Sequence, residues 1–444
     1  MKTPEETKEG FYVSEDGEWI PEGWTICKLG DYITEIAMGP FGSNLKVEMF
    51  TDSGVPVIKG QNLTTRYVSG EHSYVSEEKA DSLRKSVAYP DDFIVTHRGT
   101  IGQVSLIRGT RFRRYVTSQS QLRFTVDGKS LDNEFLLSWF HTVRGQHELL
   151  RNSSQVGVPA IASPTSSIKD INLIRPPLSE QKAIAAVLGS LDDKIELLRE
   201  QNGTLEALAQ TLFRRWFIDF NFPDKNGNPY KDSGGKMIVS ELGEIPEEWK
   251  ADKLNDYISI SGGGTPSTKE PSYWDGEIAW SSPKDLSARP DAFLFQTNKT
   301  ITTEGLGKIS SGLNPVGSLL LSSRAPIGYI AFADTPVAVN QGYIVFAPEQ
   351  YLSNQFMFLW LKKYMSVVTN AANGSTFLEI SKKAFKEIET IIPCEGVLQG
   401  FQSLMMPQFE KLRSNLIQIR TLTQLRNTLL PKLMKGEIRV PFET

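Results

Sequence analysis

The sequence predicts an α+β protein: two similar globular α/β domains with a pseudo-two-fold arrangement, separated by two long helices packed as an antiparallel coiled coil. Three observations predict this architecture. One long sequence unit occurs twice, and each copy ends in a stretch with helical apolar periodicity. The rest of each copy consists of short apolar runs between Gly, Pro and Ser clusters. A chain of 444 residues is long enough for roughly two or three domains, each with its own core.

The internal repeat begins with a shared motif. IPEGWTICKLGDYI starts at Ile20, and IPEEWKADKLNDYI starts at Ile245, 225 positions later. The order of the following motifs is kept, with RGTIG at Arg98 against RAPIG at Arg324, and NEFLLSW against NQFMFLW. The period is far longer than the roughly 20 to 50 residues of solenoid repeats, so we expect each copy to be an independent domain.

The globular parts are predicted to consist of short strands and loops. Runs such as DFIVT and SLLLS are bounded by Gly, Pro and Ser, which is typical of strands that end in turns. Within these parts, helices are expected only at 134–150 and 355–368.

The first helical stretch has the heptad spacing of a coiled-coil seam. Its apolar positions alternate in steps of four and three: Leu191, Ile195, Leu198, Asn202, Leu205, Ala209, Leu212 and Trp216. Gly189 is expected to interrupt any helix that comes from 179, and Ser190 with Asp193 is typical of a capping box. We therefore expect the long helix to start near Leu191 and to reach Phe217, which is roughly 40 Å at ~1.5 Å per residue.

The second helical stretch is less regular. Its apolar stripe drifts along the helix: Phe409, Leu412, Leu416, Ile419, Leu422, Leu425 and Leu429. Leu205 and Leu422 lie 217 positions apart, and this offset aligns the two stretches. The helix is expected to begin after Pro407 and to end before Gly436. Asn202 in the first seam either fixes the helix register or is a tolerated polar residue.

Composition excludes several classes of function. Cys27 and Cys394 lack the spacing of a disulfide framework or zinc site, and the four histidines form no metal-binding motif. No phosphate-binding glycine motif follows a strand-like run, and the longest apolar run, at 356–361, is too short to span a membrane. The net charge of -4 provides no global attraction to DNA. We expect a cytoplasmic protein without a metal or a catalytic site, which would contact nucleic acid only locally.

The strongest basic feature is IRGTRFRRY, in which Arg108, Arg111, Arg113 and Arg114 accompany two aromatic residues in a strand-like setting. Arg111 and Arg113 would share one face of such a strand. Arginine suits both phosphate contacts and bidentate recognition of guanine. The segment is either a DNA-facing element or a solvated edge strand.

Polar loop residues are the second class of DNA-binding candidates, because Gln and Asn can pair with adenine edges. In the first copy these are Lys59, Gln61, Asn62, Gln119 and Gln121, and in the second copy Lys284, Arg289, Asn340 and Gln341. Arg98 and Arg324 occur in both copies before an Ile-Gly pair, and are interpreted as structural or phosphate-binding. The loops differ between the copies, either because they recognise unlike half-sites or through drift after duplication.

Taken together, the motifs resemble the specificity subunit of type I restriction-modification systems, the HsdS family, over nearly the whole chain. The resemblance rests on the IPEGW/IPEEW pair, on PPLSEQKAIAAVLGSLDDKIELL from Pro176, on LFRRWFIDFNFP from Leu212 and on LRNTLLPKLMKGEIRV from Leu425. One departure is that PPLSEQ has no close counterpart at Pro393, where the second copy has PCEGVLQ.

The resemblance implies target-recognition domains at 1–178 and 222–393, the second including a linker at 222–242. It also implies spacer helices at 179–221 and, with the C-terminal tail, at 394–444. Each domain would recognise half of a bipartite DNA site, and the helices would set the gap and dock the methylation subunits. The helix residues expected to do so are Leu191, Ile195, Leu198, Asn202, Leu205, Leu212, Leu412, Ile419, Leu422 and Leu429.

The resemblance further implies that catalysis and cofactors belong to other chains. Two methylation subunits would bind S-adenosylmethionine and methylate adenine N6, and restriction subunits would use ATP and Mg for translocation and cleavage. The alternatives are a bivalent adaptor that binds protein or carbohydrate, and an enzyme with an unrecognised hydrolytic site.

Overall fold

The computed structural model describes residues 9–14, 17–109, 111–287, 291–324, 326–374 and 378–441. The chain folds into two compact units. Unit 1 comprises Met1–Lys194 and Thr421–Thr444, and unit 2 comprises Ile195–Arg420. Each unit mixes helices and strands and contains part of both long helices, so the predicted α+β class with two globular parts is confirmed.

The described part of unit 1 contains two four-stranded sheets. The strand order is Ser73–Val75, Val55–Ile58, Tyr115–Thr117 and Val87–Ala88 in one, and Ile33–Met38, Gln121–Val126, Phe93–Thr96 and Val104–Leu106 in the other. Three strand pairs complete it: Phe11–Val13 with Trp19–Pro21, Thr25–Lys28 with Asn172–Arg175, and Ser153–Ser154 with Ala160–Ile161. The second sheet is antiparallel, whereas in the first Val57 lies opposite Val116 in a parallel pair.

The described part of unit 2 repeats this plan. Its five-stranded sheet has the order Ile260–Ser261, Tyr343–Phe346, Leu319–Ser322, Ile330–Ala333 and Phe293–Leu294, and its three-stranded sheet the order Lys299–Ile301, Trp274–Ser281 and Val337–Val339. Two strand pairs, Met237–Ser240 with Gly243–Pro246 and Lys250–Lys253 with Glu389–Ile392, complete it. Trp274–Ser281 and Val337–Val339 are again parallel, so the sequence repeat is also a structural repeat.

Short helices flank the sheets. They are Glu77–Ser82, Asn133–Phe140, Val143–Leu150 and Pro164–Lys169 in unit 1, and Pro283–Ser287, Thr303–Leu306, Asn354–Asn370 and Lys382–Lys386 in unit 2. The helix expected at 134–150 is divided in two because the Thr142 hydroxyl accepts a hydrogen bond from the Gly145 amide and caps a new helix. The helix expected at 355–368 is confirmed with slightly wider bounds.

The first long helix, Leu178–Phe217, has 40 residues and starts well before the expected position. The expected start near Leu191 is therefore wrong, as is the capping role of Ser190, whose hydroxyl donates to the Val187 carbonyl inside the helix. Gly189 costs roughly 1 kcal/mol of helix propensity. Burial of Ile184 and Leu188 on the same helix offsets this cost, so tertiary packing overrides the local signal.

The second long helix, Glu395–Met434, also has 40 residues and begins 217 positions after the first. The expected start after Pro407 is wrong, because Pro407 lies inside the helix. Phe401 and Phe409 are buried on either side of it, and this packing offsets the hydrogen bond that proline removes. The expected end is confirmed: Gly436 follows the helix with a φ of 65°, a left-handed conformation that glycine adopts without strain.

Within each unit, the parts of the two long helices run antiparallel. In unit 1 Arg426 Nη1 donates to Asp192 Oδ1 at 2.8 Å, and in unit 2 Asn415 Nδ2 donates to Asn202 Oδ1 at 2.9 Å. Among the described helices, none combines the length and the apolar character needed to cross a membrane.

Candidate nucleic-acid interface

Four of the predicted DNA-binding residues in unit 1 line one concave surface of about 410 Å³: Lys59, Arg98, Gln119 and Gln121. They come from three separate segments of the chain. Val55–Ile58 and Tyr115–Thr117 are parallel, so the loops that follow them leave the sheet at the same edge. We call this surface the unit 1 loop face.

The polar residues of the loop after Val55–Ile58 have two different roles: some hold the shape of the loop, and others remain at the surface. Asn62 is only 1 % exposed; its carbonyl oxygen accepts from the Lys59 amide, and its amide group donates to the Ser69 and Glu71 carbonyls. Asn62 therefore shapes the loop. Gln61 is exposed, and Lys59 Nζ donates to Ser73 Oγ at 2.8 Å while remaining on the loop face.

The other two segments of the loop face show the same division between buried and exposed polar residues. Gln121 is 1 % exposed, and its amide donates to Thr96 Oγ1 at 3.3 Å. Gln119 and Arg98 are exposed, so they are the side chains that a ligand would meet. His97, which sequence patterns did not single out, lies beneath them with its ring 3.2 Å from the Gln119 carbonyl, and burial lowers its pKa.

The arginine cluster lies at the opposite end of the same parallel strand pair. Arg111, Arg113 and Arg114 line a groove of about 640 Å³ with Gly54, at the start of strands whose other end forms the loop face. The expected strand-like setting is wrong: residues 111–113 form a bend, and the strand starts at Tyr115. The alternating arginine and aromatic residues therefore do not point to opposite faces of a strand.

Two of the four arginines of the segment 108–114 form ion pairs. Arg114 pairs with Asp81 at 2.6 Å and with Glu77. Arg108 pairs with Asp193 of the first long helix at 2.5 Å. Arg111 and Arg113 are exposed, and Arg111 packs on the Phe112 ring at 5.2 Å. Four residues at ~3.3 Å each separate this groove from the loop face by roughly 13 Å, so the predicted residues form two surfaces.

Unit 2 places its candidates at the edge that corresponds to the loop face. Asn340 and Gln341 follow Val337–Val339, and Lys284 lies in the helix after its parallel partner strand. Thr265 Oγ1 donates to Gln341 Oε1 at 2.7 Å, and Asn340 Oδ1 accepts from the Gly342 amide. We call this surface the unit 2 loop face.

The remaining candidates of unit 2 have less direct roles. Arg324 is half-buried and lies 3.8 Å from Glu379. Isolated backbone bridges link Arg98 to Ala160, in the strand Ala160–Ile161, and Arg324 to Glu379, which gives the backbone at both positions a structural role. Arg289 lies outside the described residues. No group of three or more His, Cys, Asp or Glu side chains placed to hold a metal ion occurs in the described part of the chain.

Sequence comparison shows the family. The sequence profile described as type I restriction modification DNA specificity domain matches residues 21–207 and 246–419, one match for each copy of the repeat. The chain belongs to the type I restriction-modification DNA specificity family. Its function is that of a DNA specificity subunit.

Individual specificity subunits agree with this membership. The MjaIX specificity subunit of Methanocaldococcus jannaschii is 27% identical over 433 residues, which is 95% of either chain. The HindI specificity subunit of Haemophilus influenzae is 27% identical over 326 residues, covering 61% of this chain and 70% of that one. These matches support the DNA specificity function and not the adaptor alternative.

A solved specificity subunit has the same fold. The crystal structure of the type I restriction-modification S subunit from M. genitalium covers 95% of this chain and 97% of its own, at 16% identity and a TM-score of 0.60.

In this specificity subunit the predicted spacer residues are buried or partly buried. Ile195, Leu198, Asn202 and Leu412 are buried, and the others are partly buried: Leu191, Leu205, Leu212, Ile419, Leu422 and Leu429. Leu208 and Leu425, which are equivalent in the repeat, are each 45% exposed. Leu197, Leu404, Met406 and Ile417 are exposed on the long helices as well, and none of these four has an exposed apolar equivalent in the other copy.

Proposed function

We propose that each unit recognises one half of a bipartite DNA site through its loop face, and that the long helices set the gap between the halves. One observation carries the proposal: both units present polar side chains at the same edge of an equivalent parallel strand pair, while most residues of the two sets of loops differ. A common scaffold with unlike contact residues is what recognition of two different half-sites requires.

The exposed groups have the chemistry for this task. On the unit 1 loop face Arg98 and Lys59 supply cationic groups for phosphates, and the Gln119 amide can pair with an adenine edge. On the unit 2 loop face, Lys284 and Gln341 supply the same two kinds of group. The net charge of -4 disfavours tight binding by the isolated chain, so recognition is proposed to take place in the assembled complex.

The test is a genome-wide map of N6-methyladenine after co-expression with the neighbouring methylation subunit, in a host that otherwise lacks this mark. The parent chain should direct methylation to one split motif. Gln119→Ala should relax one half of it and Gln341→Ala the other, each by roughly 1–3 kcal/mol of discrimination.

Arg113→Ala is the matched control, because Arg113 is exposed at the opposite end of the unit 1 strand pair. It should leave the motif unchanged. If Arg113→Ala altered the motif and Gln119→Ala did not, the arginine-lined groove would be the recognition surface, and the loop-face assignment would be wrong.

The proposal assigns catalysis to partner subunits. Two methylation subunits would carry S-adenosylmethionine and transfer the methyl group, and restriction subunits would carry ATP and Mg. The exposed Leu208 and Leu425 are the docking residues we favour, because two equivalent helix positions suit two copies of one partner. Action on chromosomal DNA also implies a cytoplasmic location.

The gap-setting role has its own test. Seven residues inserted in the first long helix between Lys194 and Ile195, and seven in the second between Arg420 and Thr421, fall at the unit boundaries and preserve the heptad seam. At ~1.5 Å per residue each helix gains roughly 10 Å, about three base pairs at ~3.4 Å each. The methylated motif should keep both halves and gain a longer gap; an unchanged gap would exclude the ruler role.

A further inference from the structure

Three polar pairs link the two long helices and the tail after the second. Within unit 1, Arg439 pairs with Glu180 at 2.6 Å and Arg426 with Asp192 at 2.8 Å. Within unit 2, Asn415 pairs with Asn202 at 2.9 Å. In unit 1, residue numbers rise on the first helix as they fall along the second helix and its tail, so the two pairs of that unit follow an antiparallel register.

The first pair has the most buried charge. Glu180 is 0 % exposed, and its carboxylate accepts hydrogen bonds from Arg439 Nε, Arg439 Nη2 and Trp24 Nε1. The Arg439 guanidinium also lies 6.0 Å from the Trp24 ring. A fully buried carboxylate depends on such partners, because loss of one leaves an uncompensated charge.

The repeat places different residues at the equivalent positions of unit 2. Val397 replaces Glu180 and Phe222 replaces Arg439, each at the 217-residue offset. Phe222 stacks on Trp249 at 5.1 Å, as Arg439 lies over Trp24. The Trp249 Nε1 group is buried without an acceptor among the described residues. At these equivalent positions, unit 1 therefore has an ion pair and unit 2 has two apolar residues, which we call its apolar match.

The 217-residue offset shows what each helix would meet in a second copy of itself. Two first helices in the same register would place Glu180 against Phe222, Asp192 against Ala209 and Asn202 against Leu198. Two second helices would place Arg439 against Val397, Arg426 against Phe409 and Asn415 against Ile419. All six combinations place a polar or charged group against an apolar one, which does not satisfy its hydrogen bonds or charge.

We propose that these three pairs form a pairing code by which the first long helix selects the second and rejects the same helix from another copy of the chain. Internal repeats otherwise favour exchange between copies, because similar helices present similar apolar seams. Because of this code, the first long helix pairs with the second long helix of the same chain, and the two unlike globular parts stay in one molecule.

The test recreates the rejected combinations inside the full chain. Arg439→Phe places Phe opposite Glu180, as two first helices would, and Glu180→Val places Val opposite Arg439, as two second helices would. Arg439→Phe should lower the thermal midpoint of the full chain by about 10 °C, because Glu180 is 0 % exposed and loses its charged partner. Glu180→Val should lower the midpoint by about 5 °C, because the Arg439 that it leaves unpaired is 44% exposed. The double variant copies the apolar match of unit 2 and should recover most of that loss. Additive losses, or single variants within about 2 °C of the parent, would overturn the proposal.

The amide pair supplies a milder set of variants that keeps the test informative if the charged singles fail to fold. Asn415→Leu and Asn202→Ile each leave one buried amide unpaired and should lower the midpoint, whereas the double variant should match or exceed the parent. If the double variant is less stable than either single variant, the code is refuted.

Oligomeric state tests the rejection directly. A chain with Glu180→Val, Arg439→Phe, Asn202→Ile and Asn415→Leu retains apolar matches but lacks two of the three polar pairs. After refolding at high protein concentration, light scattering should find a several-fold larger dimer fraction than in the parent. A parent chain that dimerises as readily as this variant would contradict the proposal.

Discussion

In units 1 and 2, equivalent positions of the globular parts form ion pairs with a long helix, but the residues at these positions carry opposite charges. Tyr67 pairs with Leu106 in unit 1 as Phe293 pairs with Phe332 in unit 2, which makes Arg108 equivalent to Asp334. Arg108 pairs with Asp193 on the first long helix, whereas Asp334 pairs with Arg413 on the second.

A second contrast lies in the neighbouring position. Arg66 of unit 1 reaches both Asp192 and Glu134 at 3.1 Å, while its equivalent in unit 2 is the buried Ala292. The comparison shows that the repeat preserves backbone register and burial, while the chemistry that joins each globular part to the helices has diverged. Unit 1 relies on ion pairs where unit 2 relies more on apolar packing.

Loss of Arg66 should produce the largest difference between the units. Its side chain is 13% exposed and pairs with both Asp192, which is 6% exposed, and Glu134. Arg426 still pairs with Asp192 in the variant, so Arg66→Ala should cost about 3 kcal/mol, the lower end for a broken buried pair. Chemical denaturation gives the total, and hydrogen exchange with mass spectrometry should place the loss in unit 1 peptides. Arg199→Ala is the control, since its ion pair with Glu196 is exposed. Equal effects of the two variants would show that the buried network contributes little.

The two repeat tryptophans should respond unequally to the same change. Trp24→Phe removes a hydrogen bond to the buried Glu180, whereas Trp249→Phe removes an N–H group that has no acceptor in the described part of unit 2. Because both variants lose similar ring volume, Trp24→Phe should be the more destabilising by about 1.5–3 kcal/mol. Urea midpoints of the two variants measure the difference, and equal losses would exclude a stabilising role for the Trp24 hydrogen bond.

The charge-reversed pairs should differ through burial. Arg108 and Asp193 are each about half exposed, so Arg108→Ala should cost at most about 1 kcal/mol, less at high salt. Asp334 is 10% exposed, and Arg413→Ala leaves it without this partner, at roughly 1–3 kcal/mol. Denaturation at low and high NaCl concentration tests both. A larger loss for Arg108→Ala would reverse the ranking.

The smallest expected difference is in pH dependence. Burial lowers the pKa of His97 on the unit 1 loop face, and the equivalent residue in unit 2 is Ser323. The unfolded chain takes up a proton near the ordinary pKa of 6.5 while the folded chain resists it, so unit 1 should lose stability as the pH falls below 6.5.

Thermal unfolding at pH 7.5 and 5.5 measures this effect. His97→Gln should weaken the pH dependence without abolishing it, because burial also lowers the pKa values of His72 and His141 in the same unit. An unchanged pH dependence in His97→Gln would show that His97 does not contribute.

The sequence by itself determined the repeat, the α+β class, the presence of two long helices and the family. These properties follow from comparison of the chain with itself and from apolar periodicity, which a side chain carries whatever its partner. It also placed Lys59, Arg98, Gln119 and Gln341 in loops that the structure brings to equivalent edges.

Only the tertiary structure decided which of those residues face outward and where the helices start. Asn and Gln side chains can contact bases when they lie at the surface. Asn62 and Gln121 are instead held in the interior by hydrogen bonds to backbone and hydroxyl groups that are distant in sequence. Packing carries helices through Gly189 and Pro407, where local propensity predicts interruption. Glu180 meets Arg439 across 259 positions, and no local pattern encodes such a pair. Burial and pairing depend on groups that are near in space and far along the chain, which is why they required the folded molecule.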